Sequence, residues 1–215
     1  MRILIGIQSR LKSKRLPNKA IHKIGNHALI EHVWKATNVV VYPNAVILYR
    51  RVLVPREEED YQKILEDMGI QWCPGDGEDL IKRYMYAIEK FHCDAAIRIT
   101  GDCWQMPQEI VQRCIKSLLS CDYVSNTMIR SMPEGYDIQG GSLKAWKWLD
   151  SGQRSEREHP WKEFDENKIC RDDFERKGMK ITHIVDNKNP IFQKTSIDTQ
   201  EELDFANKRY EHKAS

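Results

Sequence analysis

A strongly basic segment directly follows the first apolar stretch of the chain. Residues 7–19 have the sequence IQSRLKSKRLPNK, in which five of thirteen residues are lysine or arginine. Arginine presents a planar fork to phosphate oxygens and lysine a mobile point charge, so such a loop can bind a polyanion such as a triphosphate. An ordinary solvated surface loop is the alternative. The segment contains neither GxxxxGKS nor GxGxxG, which argues against a Walker loop and a dinucleotide-binding turn.

Two aspartates that are far apart in the chain are candidate metal ligands. Asp102 lies in RITGDC after an apolar run, and Asp198 lies in SIDTQEEL before a predicted helix. Because Mg²⁺ is usually bound by one or two carboxylates together with phosphate oxygens, this pair suits a metal-chelated nucleotide. Each aspartate also has a structural interpretation as the cap of the helix that follows it.

A glycine-containing segment, CPGDGEDLIKRY at residues 73–84, opens another predicted helix. Such a loop can present backbone N–H groups to a base or a phosphate. Asp79 and Arg83 are four residues apart and share a helix face, which predicts a structural ion pair, with Arg83 facing a ligand as the alternative. Residues 132–139 and 155–161 are rich in charged and loop residues, and they are candidates for the pocket of a second substrate.

Apolar runs and helical periodicity alternate through the first part of the chain and define the elements that must position these residues. We predict strands at 3–7, 45–49, 70–73, 95–100 and 121–125, and helices at 27–38, 57–68, 79–91 and 108–119. This alternation indicates a mostly parallel sheet with helices on both faces. The remainder is less regular, with strands predicted at 138–141 and 180–185 and helices at 142–150 and 200–210, the last capped by Thr199 with Glu202 three residues on.

Open α/β sheets bind ligands at the carboxyl ends of their strands. We therefore expect the loops at 8–19, 101–106 and around Asp198 to meet at one rim of the sheet. No internal repeat or linker is evident in the 215 residues, which predicts a single domain with a nucleotide-binding half at 1–127 and an acceptor-binding half with the C-terminal helix at 128–215.

Composition narrows the class of protein. Hydrophobic residues make up 40% and charged residues 31%, as in ordinary soluble globular proteins. The net charge of +2 is too balanced for a protein that binds nucleic acid over its whole surface. No stretch is long enough for a membrane helix or a signal-peptide core, so we expect a cytoplasmic protein without a membrane partner. The six cysteines show no CxxC or Cys/His metal spacing, which indicates reduced thiols.

Taken together and in order, these motifs resemble those of the sugar-activating cytidylyltransferases. The first loop is similar to that family's A-R-x-x-S-x-R-L-P-x-K, and GDGEDLIKRY, RITGDC, YVSNT, PEGYDI, EREH and SIDTQEEL follow in the family's order. The resemblance covers residues 3 to about 207. It is strongest to the spore-coat polysaccharide biosynthesis (SpsF-like) proteins, and the CMP-KDO and CMP-acylneuraminate synthetases are more distant.

The resemblance implies a three-layer GT-A/Rossmann-like nucleotidyltransferase fold with a mostly parallel central sheet and an irregular insertion for substrate binding and dimerisation. It implies Mg²⁺-dependent transfer of CMP from CTP to a sugar or sugar acid, and a homodimer whose interface residues 128–165 could supply. By carry-over the catalytic residues are Arg10, Arg15 and Lys19, and the metal ligands are Asp102 and Asp198. The nucleotide would contact Gln8, Ser9, Arg10, Ser13, Lys19, Gly75, Asp79 and Arg83, and the acceptor would contact Asn126, Glu134, Asp137, Gln139, Glu158 and His159.

The sequence departs from the family pattern mainly in the acceptor half. Ser9 replaces a small alanine, Trp104 stands where proline is usual, and Gln139 stands where an acidic residue is common. A non-sugar acceptor such as a phosphonate therefore stays open, as does a catalytically weak nucleotide-binding relative. A glycosyltransferase is disfavoured because the chain has no D-x-D triplet, and a nucleic-acid-binding protein is disfavoured by the balanced charge.

Overall fold

A computed structural model describes residues 1–13, 15–40, 46–152, 157–186 and 194–214. The strands are β1 Arg2–Gln8, β2 Lys23–Ile24, β3 His27–Ala28, β4 Ile47–Pro55, β5 Trp72–Gly75, β6 Ala95–Thr100, β7 Tyr123–Ser125, β8 Ile138–Ser142 and β9 Ile181–His183. The α-helices are α1 Leu29–Ala36, α2 Glu59–Asp67, α3 Leu80–Lys90, α4 Gln108–Ser117, α5 Leu143–Ser151, α6 Lys162–Glu166, α7 Lys168–Arg176 and α8 Gln200–Ala214.

The described residues form one seven-stranded sheet, in the order β5-β4-β1-β6-β8-β7-β9, and a small β2-β3 hairpin. Strands β5, β4, β1 and β6 are parallel neighbours, and β8 runs antiparallel to both β6 and β7. Helices cover both faces of this sheet. The predicted fold class, a mostly parallel sheet with helices on both sides, is confirmed.

The central strand β1 is buried on both faces because it lies in the middle of the sheet. Ile3, Ile5 and Ile7 belong to the apolar cluster on one face, while Leu4 belongs to the cluster on the other. In a strand, alternate side chains point to opposite faces, so a strand covered on both sides is a continuous apolar run. On the second face the ring of Tyr84 in α3 stacks on Trp146 in α5, with ring centroids 4.7 Å apart.

The strand predicted at 45–49 is wrong in its position. Strand β4 is Ile47–Pro55, in register with β1, and Ala45 lies outside the described residues. The sequence pattern failed because Arg50 and Arg51 interrupt the apolar run. The guanidinium of Arg50 lies 3.7 Å from the centre of the Trp34 ring, and that of Arg51 lies 4.6 Å from the Phe91 ring, so aromatic rings accommodate both charges beside the strand.

Other differences are shifts of boundaries, the β2-β3 hairpin, which was not predicted, and helices α6 and α7, which were not predicted either. Strand β5 is Trp72–Gly75 and includes Pro74, which an edge strand tolerates because one side of its backbone is unpaired. Helices α6 and α7 were missed since their segment is mostly charged and has few apolar positions. Phe164 and Phe174 nevertheless anchor them, and both are fully buried.

All six cysteines are free, as predicted, and five of them are buried. Burial raises the pKa of the Cys103 and Cys114 thiols, so these groups are unreactive core residues. Within the described part of the chain, no helix combines the length and the apolar character that a membrane span requires.

Candidate functional site

A cavity of about 1210 Å³ opens at the carboxyl ends of β1 and β6. Thirteen of the residues predicted for the site line this cavity: Gln8, Ser9, Arg10, Ser13, Arg15, Lys19, Arg83, Asp102, Asp137, Gln139, Glu158, His159 and Asp198. Four predicted residues are not among its lining residues: Gly75, Asp79, Asn126 and Glu134. The volume exceeds that of a typical drug-sized site, which leaves room for a nucleotide together with a second substrate.

Lys19 joins the two candidate metal ligands. Its Nζ lies 2.8 Å from Oδ2 of Asp102 and 2.9 Å from Oδ1 of Asp198. These aspartates are 96 residues apart in the chain, and their contacts with one nitrogen atom show that the loops expected to meet at one rim of the sheet do meet there. Both carboxylates face the same nitrogen atom.

Asp198 is surrounded by three cations. Arg15 lies 2.8 Å from Oδ1, in addition to Lys19, and Lys194 lies 3.0 Å from Oδ2. Burial alone would raise the pKa of the Asp198 carboxyl, but the hydrogen bonds and charges of Lys19 and Lys194 outweigh it and lower the pKa. Burial likewise opposes protonation of Lys19, yet Asp102 and Asp198 raise its pKa. Lys19 and Asp198 are therefore both ionised at neutral pH.

The structural alternatives for the two aspartates are wrong. Thr199 caps α8, since its Oγ1 accepts from the N–H of Glu202, and the Glu202 carboxylate accepts from the N–H groups of Asp198 and Thr199. This capping box was predicted, and it leaves the Asp198 side chain free to face the cavity. Pro107 is the N-cap of α4, and the Asp102 carboxylate accepts from Lys19 and Cys103 instead of capping that helix.

Trp104 helps to position Asp198. The indole Nε1 donates to the backbone oxygen of Thr195 at 2.9 Å, three residues before the aspartate. Lys194 next to this anchor also pairs with Glu202 at 2.7 Å. Sequence analysis did not identify Lys194, because no motif surrounds it, and it noted Trp104 only as a departure from the family pattern.

The predicted ion pair between Asp79 and Arg83 is wrong. Asp79 caps α3, accepting from the N–H of Lys82 at 2.9 Å, and it also accepts from Arg157. The capping rotamer turns this carboxylate over the first turn and away from Arg83. Arg83 instead donates to the backbone oxygens of Asp76 at 2.7 Å and Gly77 at 2.8 Å. Its guanidinium is thereby fixed at the cavity wall by neutral oxygens.

The basic loop after β1 is held at several points. Glu58, which is buried, accepts from the N–H groups of Leu11 at 2.8 Å and Lys12 at 3.3 Å. Ser9 shares a 2.7 Å hydrogen bond with the hydroxyl of Tyr61. Arg10 forms an ion pair with Glu158, and both side chains are about half exposed. Glu58 was not predicted, although a carboxylate opposite a basic loop is a signal for such an anchor. Lys14 lies outside the described residues.

Arg98 and Asp165 extend the site into the acceptor half. Arg98 donates through Nε to Oε1 of Gln8 and through Nη1 to Oε1 of Gln139, both at 2.6 Å. Gln139 donates to Oδ2 of Asp165 at 2.7 Å. Both Arg98 and Asp165 line the cavity, and neither was predicted. Arg98 could have been identified from the sequence, because it is a charged residue inside an apolar strand. Asp165 lies in a segment that is charged throughout, so no sequence signal distinguishes it.

Asp165 is held by three donors. The hydroxyl of Tyr123 donates to Oδ1 at 2.6 Å, and the hydroxyl of Thr127 donates to Oδ2 at 2.5 Å, beside Gln139. The pKa of the Asp165 carboxyl is raised above its ordinary value, because burial outweighs the opposing effect of the hydrogen bonds from Thr127, Tyr123 and Gln139. The arrangement holds a single acceptor-only group against the inner wall of the cavity.

The remaining residues predicted for the acceptor have different surroundings. Asp137 forms two hydrogen bonds with Arg130, at 2.9 and 3.1 Å, and His159 is exposed at the cavity edge. Asn126 is buried and holds the turn before β8, bonding the oxygen of Tyr136 and the N–H of Ile138. Glu134 pairs with Lys194 at 3.7 Å. Asn126 and Glu134 thus occupy structural positions next to the cavity, as do Gly75 and Asp79.

The residues present suit a metal that is partly bound by substrate. No group of three or more His, Cys, Asp and Glu side chains in the described ranges could hold a metal ion by itself. Asp102 and Asp198 supply two carboxylates aimed at one point. Mg²⁺ takes one or two protein carboxylates and completes its shell with water and phosphate oxygens, so this donor set fits that ion when a triphosphate is bound.

The family model described as cytidylyltransferase matches residues 4–140. A curated relative, an uncharacterized protein of Methanocaldococcus jannaschii, is 26% identical over 163 residues. That match covers 74% of this chain and 65% of the relative, so the chain spans less than two thirds of the relative's length.

Two solved structures share the fold across almost the whole chain. A cytidylyltransferase from Leptospira borgpetersenii superposes with a TM-score of 0.83 at 24% identity, covering 99% of this chain and 87% of the other. A CMP:2-keto-3-deoxy-manno-octonic acid synthetase solved in complex with CTP superposes with a TM-score of 0.69 at 13% identity, covering 99% of this chain and 100% of the other.

Proposed function

The chain belongs to the cytidylyltransferase family, and on this premise we propose that it transfers CMP from CTP to a sugar or sugar acid and releases pyrophosphate, with Mg²⁺ as cofactor. The observation that carries the proposal is the contact of Lys19 with both Asp102 and Asp198 at the mouth of the cavity. We also propose that the enzyme is of the SpsF-like type, on the strength of the motifs around these residues.

The nucleotide would occupy the side of the cavity formed by the basic loop and α3. Arg10, Arg15 and Lys19 would bind the β- and γ-phosphates, because these three cations line the cavity. Arg83 presents a guanidinium already fixed by backbone oxygens, and Gln8 at the end of β1 lines the same cavity. The base and ribose would then lie against α3. A synthetase with this fold was solved in complex with CTP, which supports CTP as the nucleotide in this proposal.

Asp102 and Asp198 would hold the metal. When bound, Mg²⁺ would neutralise the charge on the α-phosphate and on the departing pyrophosphate. Lys19 would have to leave the point between the two carboxylates for them to hold the ion, and the nearby phosphates would be the new partner of its ammonium group. The residues of the site thereby exchange an internal ion pair for contacts with the substrate.

The reaction is an in-line displacement at the α-phosphorus. An oxygen of the acceptor forms a bond to the α-phosphorus, and the bond from that phosphorus to the bridging oxygen of the β-phosphate breaks. When the attacking oxygen is a hydroxyl, its proton passes to solvent water. Fixing both substrates in one cavity makes this step effectively intramolecular. Arg10, Arg15 and Lys19 stabilise the negative charge that accumulates on pyrophosphate as it leaves.

Nucleotide preference tests the proposal most directly. CTP with Mg²⁺ should raise the melting temperature more than ATP or GTP at equal concentration, because ligand at about 100 times its Kd stabilises the folded state by about 2.7 kcal/mol. For a chain of this length that corresponds to a shift of roughly 5–10 °C. Absence of a shift with every nucleotide would contradict the proposal. A screen for pyrophosphate release from CTP with sugars, sugar acids and phosphonates would then identify the acceptor.

A further inference from the structure

Arg98 lies between the side of the cavity proposed for the nucleotide and the side proposed for the acceptor. Its strand β6 is flanked by β1, which ends in Gln8, and by β8, which carries Gln139. The guanidinium is held from both sides at 2.6 Å, by the carboxamide oxygen of Gln8 and by that of Gln139. These two oxygens orient the group without neutralising its charge.

Most other cations of the cavity have a carboxylate partner. Arg10 pairs with Glu158, Arg15 with Asp198, Lys19 with Asp102 and Asp198, and Arg130 with Asp137. Over the described ranges no carboxylate forms an ion pair with Arg98, and its Nη2 donates to no residue there. A partly buried guanidinium without a counterion is unfavourable, so a bound anion would be strongly attracted to this position.

The orientation of Gln139 follows from Asp165. An ionised carboxylate can only accept, so Asp165 requires the NH₂ group of Gln139 to face it, which turns Oε1 toward Arg98. Tyr123 and Thr127 fix Asp165 in turn. This chain of hydrogen bonds keeps the negative charge one side chain away from Arg98. A carboxylate at position 139 would instead neutralise the guanidinium directly.

We infer that Arg98 is a specificity-determining residue that binds a carboxylate of the acceptor, and that Asp165 is the positioning residue that keeps the guanidinium available through Gln139. The inference rests on the proposed function, and it selects acidic over neutral acceptors. An acceptor carboxylate at this point would reach Nη2 and the second N–H of Nη1, the geometry in which arginine binds carboxylates most strongly. Its reacting oxygen would lie on the side of Gln8 and the nucleotide.

A charge-swap variant tests the inference. Gln139→Glu combined with Asp165→Asn keeps the size, the net charge and the hydrogen bond between the two positions, since the new amide can donate to the new carboxylate. It moves the negative charge onto Arg98. The probes are N-acetylneuraminate, 2-keto-3-deoxy-manno-octonate and D-glucuronate, each compared with its methyl ester. Binding is measured with Mg²⁺ and a CTP analogue that carries a methylene bridge between the α- and β-phosphates, so that no turnover occurs.

We expect the wild-type protein to bind at least one acid about tenfold or more tightly than its ester, as loss of a charge-assisted hydrogen bond would predict. The charge swap should remove this preference, and Asp165→Ala should reduce the ratio of acid to ester affinity, which a purely structural role would not change. Affinity for the CTP analogue should stay within about twofold in the swap. Arg113→Lys, outside the cavity and bonded to the Val185 oxygen, is the control and should retain the wild-type ratio.

Three outcomes would overturn the inference. The first is equal affinity of the wild type for every acid and its ester, and the second is an acid preference that survives the charge swap. The third is a loss of affinity for the CTP analogue in the charge-swap variant that parallels its loss of affinity for the acids, which would assign Arg98 to a nucleotide phosphate. The thermal shift of the wild type with CTP alone separates the two hypotheses. A normal CTP shift with no preference for acids refutes the acceptor assignment and leaves the proposed nucleotidyl transfer intact.

Discussion

At the scale of single residues, the site is a set of charges that satisfy one another in the absence of substrate. Lys19 occupies the point at which the carboxylates of Asp102 and Asp198 meet, and Arg15 and Lys194 complete the shell of Asp198. Because every partner here is also a candidate ligand for metal or phosphate, substrate binding exchanges internal ion pairs for external ones. The exchange avoids the cost of burying an unpaired charge in either state.

Asp102→Asn tests the metal assignment. The amide keeps the size of the side chain but removes its charge, so we expect pyrophosphate release to fall by about 100-fold or more, the magnitude typical when an electrostatic contact to the reacting phosphate is lost. The rate should also require more Mg²⁺ for half-saturation. Asp172→Asn is the control, since the Asp172 side chain is about half exposed and pairs with Lys168 one helical turn away. Undiminished activity in Asp102→Asn would place the metal elsewhere.

Asp198→Asn should reveal a pH-dependent contribution to stability. The folded state lowers the pKa of this carboxyl below its ordinary value of 3.8, so the ionised form stabilises the fold at pH values above 3.8. The stabilisation is lost as the pH falls through the lowered pKa. We expect the variant to be less stable than the wild type by about 1–3 kcal/mol at pH 7.

Urea denaturation of both proteins at pH 7 and near pH 3 measures that difference. The gap between wild type and Asp198→Asn should shrink on acidification, because protonation of Asp198 removes the charge that the variant lacks. A gap that widens at low pH would contradict the assignment. Asp172→Asn again serves as the control, because this aspartate is about half exposed, and its stability should differ little from that of the wild type at either pH.

At the scale of elements, helix α3 packs closely against strand β5 at Gly75. A Cβ atom at Gly75 would lie 2.5 Å from Cγ and 3.1 Å from Cα of Arg83, so only glycine allows the helix this close. The contact sets the position from which Arg83 reaches the oxygens of Asp76 and Gly77. Gly75 therefore acts on the cavity through packing, and Asp79 acts through the cap that begins the same helix.

Gly75→Ala should weaken CTP binding as well as the fold. The added methyl group must push α3 away from β5, which costs about 1–3 kcal/mol as overpacking and moves the guanidinium of Arg83 from the cavity wall. We expect a lower melting temperature and about tenfold weaker binding of CTP, measured by calorimetry, since at least one charged contact is displaced.

Gly69→Ala is the matched control for that variant. Gly69 has a φ of +67°, a methyl group added there would meet nothing within 4 Å, and the residue lies in the turn between α2 and β5, away from the cavity. This substitution should lower stability by about 1 kcal/mol through backbone strain while CTP affinity stays unchanged. Equal effects of the two variants on CTP affinity would show that Gly75 acts only through global stability.

At the scale of the whole molecule, the net charge of +2 is nearly balanced, so we expect the association of two copies to depend on apolar surface. The resemblance of the motifs led to the expectation of a homodimer with residues 128–165 at its interface. Ile129 in this segment is 49% exposed, and such a side chain is a natural contact for a second copy. The prediction of a dimer remains to be tested in solution.

Sedimentation velocity tests the oligomeric state. We expect a species of about twice 25.3 kDa at micromolar concentration. Ile129→Lys should shift the distribution toward the monomer, because a desolvated lysine at the interface is costly. Ile169→Lys is the control, since Ile169 is 74% exposed and lies outside the proposed interface. A monomer at every concentration, or equal effects of both variants, would refute the expected interface.

Much of the fold follows from local patterns. The run around Ile3–Ile7 is continuous because β1 is covered on both faces, and the capping box of Thr199 and Glu202 depends only on neighbours in the chain. The position of strand β4 was not predicted correctly, since its two arginines pack against aromatic rings of other elements. Helices α6 and α7 were not predicted for a related reason, because Phe164 and Phe174 are buried only by tertiary packing.

The sequence by itself determined the order of the strands of the main sheet and of most helices, and with it the rim where Lys19, Asp102 and Asp198 meet, because parallel strands place their carboxyl ends on the same side. Only the tertiary structure decided which hydrogen-bond partners the charged side chains have. Arg98 bonds Gln8 across 90 residues and Gln139 across 41, and Asp79 bonds Arg157 in place of Arg83. Such choices depend on distances and side-chain directions that arise when separate elements pack, and no local pattern encodes them.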